Sequence, residues 1–263
     1  MSQLHHHEDG PTDAPVLVLG PSMGTDLHLF DPQVNPAHGE SLAARHRVIR
    51  YDLPGHGKSP VRDQALTVAD IASQVIDLLD GLGVEQFHYA GVSLGGAVGQ
   101  QLAVDHPDRV TTLTAIATAA RYADPDSWPR RATLVRDHGT RAMIGSREGL
   151  WYTRTFAARH PEIVRWLLAM LDATSDEGYA ACCEAIGAFD VRDRLATIEA
   201  PTLAIAGADD PACPPQTVQL LAYTIRGARF RTVAGAAHLP NVERPEEINR
   251  ALLDHFGQTS SNS

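Results

Sequence analysis

Apolar and polar positions follow two alternating rhythms along the chain. Short apolar runs rich in β-branched residues recur as "VLVLG" (16–20), "RVIRYD" (47–52), "QFHYAG" (86–91), "VTTLTAIA" (110–117), "TLAIAG" (202–207) and "RFRTV" (229–233). Each has the length and turn-bounded flanks of a buried strand. Between them, "TVADIASQVIDLLDGLG" places Val68, Ile71, Ala72, Val75, Leu78, Leu79 and Leu82 at helical spacing. The pair Thr67 and Asp70 predicts a capping box at its start, and Gly81 and Gly83 predict its stop. A last helix, "PEEINRALLDHF", opens on Pro245 and two acids, and the tail "GQTSSNS" has no apolar residue and is expected to be disordered. Strands alternating with amphipathic helices imply a mostly parallel sheet covered on both faces.

The rhythm breaks between residues 121 and 190, where only helical stretches such as "PEIVRWLLAML" and "EGYAACCEAIGAF" occur. The expected organisation is therefore a core of residues 1–120 and 191–263 with a helical cap inserted at 121–190 over the active site. "HHH" at His5–His7, followed by "EDG", fits a native first strand and its turn.

Composition narrows the classes. The chain has 263 residues, 43% hydrophobic and 21% charged, and a net charge of −10. That balance suits a soluble enzyme and argues against nucleic acid or an anionic membrane as partner, since both need a basic face. No apolar h-region opens the chain and no run approaches a membrane span, so a cytoplasmic location is expected. Three cysteines, two of them adjacent (Cys182, Cys183), form neither a disulfide framework nor a zinc spacing. No metal is called for.

The candidate chemistry centres on "HYAGVSLGGAVGQ", where Gly91, Ser93 and Gly95 spell G-x-S-x-G between a strand and a helix. A serine there is exposed beyond the strand end, where open α/β sheets bind ligands. Its hydroxyl needs a base. Of 13 histidines, His238 stands out because it lies in the loop after the last strand and before the last helix. His56 in "DLPGHGKS" is the rival, but its place among turn glycines fits a structural role better. Asp209 and Asp210 both follow "TLAIAG", and the spacing from Gly207 to Pro214 favours Asp210. The order Ser93, Asp210, His238 is that of one hydrolase architecture.

With "GPSMG", "YDLPGHGKS", "GVSLGG", "GADDPACPP" and "GAAHLPNVERPEEIN" in sequence, the chain resembles the α/β hydrolases over nearly its whole length. Within them, "SMGTDLHLFDPQ", "WYTRTFAARHPEIV", "GYAACCEAIGAFDVRDRLATIEAPTLAIAGADDPACPP" and "AAHLPNVERPEEIN" resemble 3-oxoadipate enol-lactonases of the β-ketoadipate pathway of aromatic catabolism. The resemblance implies an α/β-hydrolase fold with a helical cap. It also implies an anionic lactone substrate opened through an acyl-Ser93, without cofactor. Many relatives carry His-Gly where this chain has Pro21-Ser22; backbone N–H groups do that loop's work, and by position the oxyanion donors are those of Met23 and Leu94. For the substrate carboxylate, "SREGLWYTRTF" offers Arg154, with Arg147 as its fallback, beside Trp151 and Tyr152 as ring-covering aromatics. A carboxylesterase or other small-lactone hydrolase, a carbon–carbon hydrolase, and a non-catalytic ligand receptor on the same fold are the competing readings. Oligomeric state is not legible.

Overall fold

The computed structural model describes residues 4–62 and 64–257; beyond Gly257, the expected disordered tail lies outside them. In chain order the elements are β1 (His6–Asp9), β2 (Val16–Gly20), α1 (Asp31–Val34), β3 (Arg47–Tyr51), α2 (Val68–Gly81), β4 (Phe87–Val92), α3 (Leu94–Asp105) and β5 (Val110–Ile116). Then follow α4 (Ser127–His138), α5 (Arg154–Arg159), α6 (Pro161–Ala173) and α7 (Asp176–Ala188). β6 (Thr202–Gly207), α8 (Pro215–Thr224), β7 (Arg229–Val233), α9 (Pro240–Glu243) and α10 (Pro245–Gly257) complete the chain. All six apolar runs read as strands are strands, and the histidine run enters the short first strand.

The seven strands lie in the order β1-β3-β2-β4-β5-β6-β7, and only β1 is antiparallel to its neighbour. Parallel strands covered on both faces are buried along their whole length. β4 is, with all six residues buried, and its one imidazole, His88, has Nδ1 2.8 Å from Thr112 Oγ1. The chain runs from β2 outward to β3 and then crosses back to β4 on the other side of β2. This reversal opens a crevice beyond the C-terminal ends of β2 and β4, where ligands bind in such sheets. The loops carrying Met23 and Ser93 leave from those two ends.

Helix α2 forms where the capping box places it. Thr67 Oγ1 accepts the Asp70 N–H at 3.1 Å and Asp70 Oδ2 accepts the Thr67 N–H at 2.9 Å. Its apolar stripe from Val68 to Leu79 is buried, and α3 packs against it.

Helices α4–α7 all fall between β5 and β6. At the base of this segment Arg121 and Asp190 form an antiparallel bridge, and Val191 N–H donates to Ala120 C=O at 2.9 Å. The segment is tied to the rest by backbone bonds: Ser175 N–H to Gly55 C=O at 3.1 Å, His238 N–H to Leu150 C=O at 3.2 Å and Leu239 N–H to Trp151 C=O at 2.9 Å. No helix among the described residues is long and apolar enough to cross a membrane.

Burial fixes the charge state of several histidines. His56, His88 and His255 are all buried, and desolvation pushes each imidazole down from 6.5 to about 4. The unfolded chain takes up these protons near pH 6.5, the folded chain only near pH 4. Stability is therefore full above about pH 6.5 and is lost as pH falls toward 4, at about 1.4 kcal/mol per unit for each group. Urea midpoints should fall over that window, with a slope of more than one proton. A flat midpoint between pH 6.5 and 4 would contradict the buried neutral state.

Candidate active site

Ser93 ends β4's strand-to-helix turn at φ 55°, ψ −116°, a left-handed conformation that costs energy for any residue with a Cβ. The turn is tight enough that a Cβ on Gly91 would overlap Gly95 C=O, and one on Gly95 would overlap Gly20 C=O. Both glycines are thus demanded by packing. The consequence is a serine held at the N-terminus of α3 with its side chain lining a cavity of about 180 Å³.

Asp210 and His238 arrive from the ends of β6 and β7. His238 Nδ1–H donates to Asp210 Oδ2 at 2.8 Å, and Asp210 Oδ1 accepts the N–H groups of Ala212 at 2.8 Å and Cys213 at 3.1 Å. The carboxylate is held by three donors, and the proton on Nδ1 leaves Nε2 of the imidazole free to accept. His238 lines the same cavity as Ser93. Asp209 is exposed and lines a separate hollow with Arg159 and Arg244, so the pairing selects Asp210 as the spacing had favoured.

The two expected oxyanion donors are available. Leu94 is the first residue of α3 and has no acceptor one turn back, while Gly95 N–H is spent on Pro21 C=O at 3.1 Å. Among the described residues Met23 N–H also has no acceptor, and Met23 lines the cavity. Its loop is pinned on both sides of Met23. Thr25 donates to Ser22 C=O from both its N–H, at 3.1 Å, and its hydroxyl, at 2.7 Å. Gly24 N–H donates to His56 Nε2 at 3.0 Å, and His56 Nδ1–H donates to Pro54 C=O at 3.0 Å. His56 is thus the structural loop residue that its sequence position suggested.

The arginines are rearranged relative to expectation. Arg154, the first choice for a substrate carboxylate, is a surface residue with 86% of its side chain exposed, 3.7 Å from Glu148. The physical reason lies one residue upstream. Thr153 N–H and Oγ1 both bond Glu243 Oε2, at 2.9 and 2.8 Å, which fixes the start of α5 so that Arg154 turns to solvent. Arg147, the fallback, does line the cavity. It is buried, its guanidinium lies 5.2 Å from the Trp151 ring centroid, and its Nε has no partner. Trp151 lines the cavity too, whereas Tyr152 is buried outside its lining.

Sequence reasoning missed Arg131 and Glu243. Arg131 lines the cavity from α4 and stacks 4.5 Å over Trp128. Among the described residues neither Arg131 nor Arg147 has a carboxylate within ion-pair distance. Buried Glu243 accepts Ala237 N–H at 2.6 Å, and so joins the His238 loop to Thr153. Its signal in the sequence is no more than an acid in "NVERPEE".

One group of described residues could in principle hold a metal ion: Asp210, Cys213 and His238, whose ligand atoms lie within 4.8 Å of one another. Its carboxylate is already engaged by three donors, as above, so EDTA is expected to leave activity unchanged; one equivalent of bound zinc in the purified protein, removed by EDTA together with activity, would contradict this. A larger hollow of about 310 Å³ between Pro32, Ile163, Trp166 and Val242 has no serine, threonine or cysteine in its lining.

The chain is similar to known proteins over nearly its whole length. The chain is 36% identical to 3-oxoadipate enol-lactonase 2 of Acinetobacter baylyi, over 95% of this chain and 91% of that one. It is 32% identical to a protein of Variovorax paradoxus provisionally named as the carbamate hydrolase RutD, over 98% and 97% of the two chains. The crystal structure of the enol-lactonase from Burkholderia xenovorans LB400 superposes with a TM-score of 0.92 at 35% identity, covering 97% of this chain and 96% of that one. The profile of the alpha/beta hydrolase fold family matches residues 15–245, and the chain belongs to that family.

Proposed function

We propose that this chain is a serine hydrolase that opens a small anionic lactone, 3-oxoadipate enol-lactone, to its open-chain diacid. The observation that carries the reading is the pair of guanidinium groups, Arg131 and Arg147, facing the Ser93 cavity without a counter-carboxylate. In a chain of net charge −10, two uncompensated cations on a partly buried wall are costly unless an anion occupies the site. An arginine fork pairs bidentately with a carboxylate, and Trp151 supplies a flat apolar wall for a ring. The similarity to enol-lactonases supports the same substrate.

The geometry supports the following chemistry. Ser93 Oγ attacks the lactone carbonyl while His238 Nε2 takes its proton, with Asp210 stabilising the imidazolium that forms. The oxyanion is held by the N–H groups of Met23 and Leu94. Collapse breaks the ring C–O bond, and His238 returns its proton to the departing enol oxygen, which ketonises. The acyl chain remains on Ser93 as an ester. Water, deprotonated by His238, attacks that ester and releases the diacid and the free serine.

The similarity to the protein named for carbamate hydrolysis gives a second reading, a small carbamate in the same cavity. Parallel kcat/KM measurements on freshly generated enol-lactone, on carbamate and on p-nitrophenyl acetate decide between them. The enol-lactone should be preferred over both by at least ten-fold. A preference for carbamate, or for the uncharged ester, would replace the reading.

A further inference from the structure

The β5–α4 loop places a hydroxyl relay under the serine turn that no step above uses. Thr118 is fully buried, and its hydroxyl donates to the Ser93 carbonyl at 2.8 Å. The Tyr122 hydroxyl lies 3.0 Å from Thr118 Oγ1. A threonine hydroxyl has one proton, and Thr118 spends it on Ser93, so Tyr122 must be the donor in that second bond. The lone pairs of Tyr122 are then left to accept.

The backbone is shaped to hold this relay. Ala117, one residue before Thr118, sits at φ 47°, a second non-glycine residue in left-handed space beside Ser93. It is held there by its N–H to Ile205 C=O at 2.8 Å, while Ser93 N–H donates to Ile116 C=O at 2.9 Å. Strain of this kind persists only where surrounding contacts impose it. On its other side the Tyr122 ring meets Trp128 edge-on, with centroids 5.8 Å apart, and Trp128 carries the Arg131 guanidinium.

We propose that Tyr122 and Thr118 are positioning residues for Ser93: Thr118 fixes the serine's carbonyl, and Tyr122, by donating to Thr118, orients that hydroxyl, so that the strained Ser93 backbone keeps its side chain facing the cavity. The proposal rests on Ser93 being the nucleophile. During attack the Ser93 proton passes to His238, while Thr118 and Tyr122 keep their own protons, so no proton is gained or lost by the relay. A residue acting this way shifts acylation and leaves substrate affinity alone.

The test uses p-nitrophenyl acetate and a fluorophosphonate probe on the full chain. Tyr122→Phe keeps the ring against Trp128 and removes only the hydroxyl; Thr118→Val keeps the shape and removes the other one. Each should lower kcat and the rate of fluorophosphonate labelling by about ten-fold, the scale of one hydrogen bond of roughly 1–1.5 kcal/mol. KM should stay within two-fold. Thr118→Ser should restore most of the rate, and the double variant should be no slower than the slower single one, because both act on one relay. Wild-type kcat and labelling in both single variants would overturn the proposal. So would a fall in kcat matched by a rise in KM and a lost thermal transition that Thr118→Ser does not restore. Ser93→Ala is run alongside: if it stays active, the nucleophile assignment fails and the relay with it, whereas inactive Ser93→Ala beside fully active Tyr122→Phe and Thr118→Val sinks the relay alone.

Discussion

Ser93→Ala and His238→Ala should each lower kcat at least a thousand-fold, on the enol-lactone and on p-nitrophenyl acetate alike. Removing the nucleophile or the base abolishes the acyl route and leaves only binding and the oxyanion donors, and in well-studied serine hydrolases such losses approach about 10⁶-fold. Asp210→Asn should lose about 10⁴-fold, because an amide facing Nδ1 no longer holds the imidazole in the tautomer whose Nε2 accepts. Asp209→Asn should stay within two-fold, since Asp209 is exposed and lines a different hollow. The neighbouring pair makes the comparison sharp. A dead Asp209→Asn variant beside an active Asp210→Asn would reverse the acid assignment, and steady-state kinetics on purified, folded variants reads the difference directly.

The second large effect is selective. Arg147→Ala and Arg131→Ala should each lose about ten- to hundred-fold in kcat/KM on the enol-lactone, the scale of one hydrogen bond to a charged group at roughly 1.5–3 kcal/mol. Turnover of p-nitrophenyl acetate should change by less than three-fold, because the triad and the oxyanion donors remain. Arg154→Ala should match wild type on both substrates, since it lies at the surface. Equal losses on charged and neutral substrates would mean that the arginines only support Trp128 and Trp151. Undiminished lactone turnover in the Arg131→Ala/Arg147→Ala double variant would place carboxylate recognition elsewhere.

The contrast between these two sets of residues shows what a single sequence can carry. Strands β2 and β6 were legible because burial on both faces writes a continuous apolar run, and the α2 boundary because a capping box is a local contact between Thr67 and Asp70. The order of Ser93, Asp210 and His238 was legible because each sits directly after a strand, so topology alone brings them to one end of the sheet. The segment between β5 and β6 was legible as helices but not as a surface. Whether Arg147 or Arg154 meets the cavity depends on how Thr153 and Glu243 seat the start of α5, a contact spanning 90 positions. Arg131 lies on a helix whose sequence, "SWPRRATLVRDH", reads as a solvated face with several arginines. Thr118 and Tyr122 are ordinary residues until β5 is laid beside β4 and the Ser93 carbonyl appears above them. Residues that act through a partner far along the chain leave no pattern in it.

The most direct measurement of the central claim is intact-mass analysis of enzyme mixed with excess enol-lactone and acid-quenched during turnover. Ring opening expels no fragment, so attack by Ser93 on a lactone must add the mass of the whole substrate, whereas an acyclic ester adds only its acyl part. The account predicts a transient adduct of the full lactone mass, mapped to the peptide containing Ser93 and missing in Ser93→Ala. Turnover of the lactone with no such adduct under any quench time, or an adduct on another residue, would contradict it.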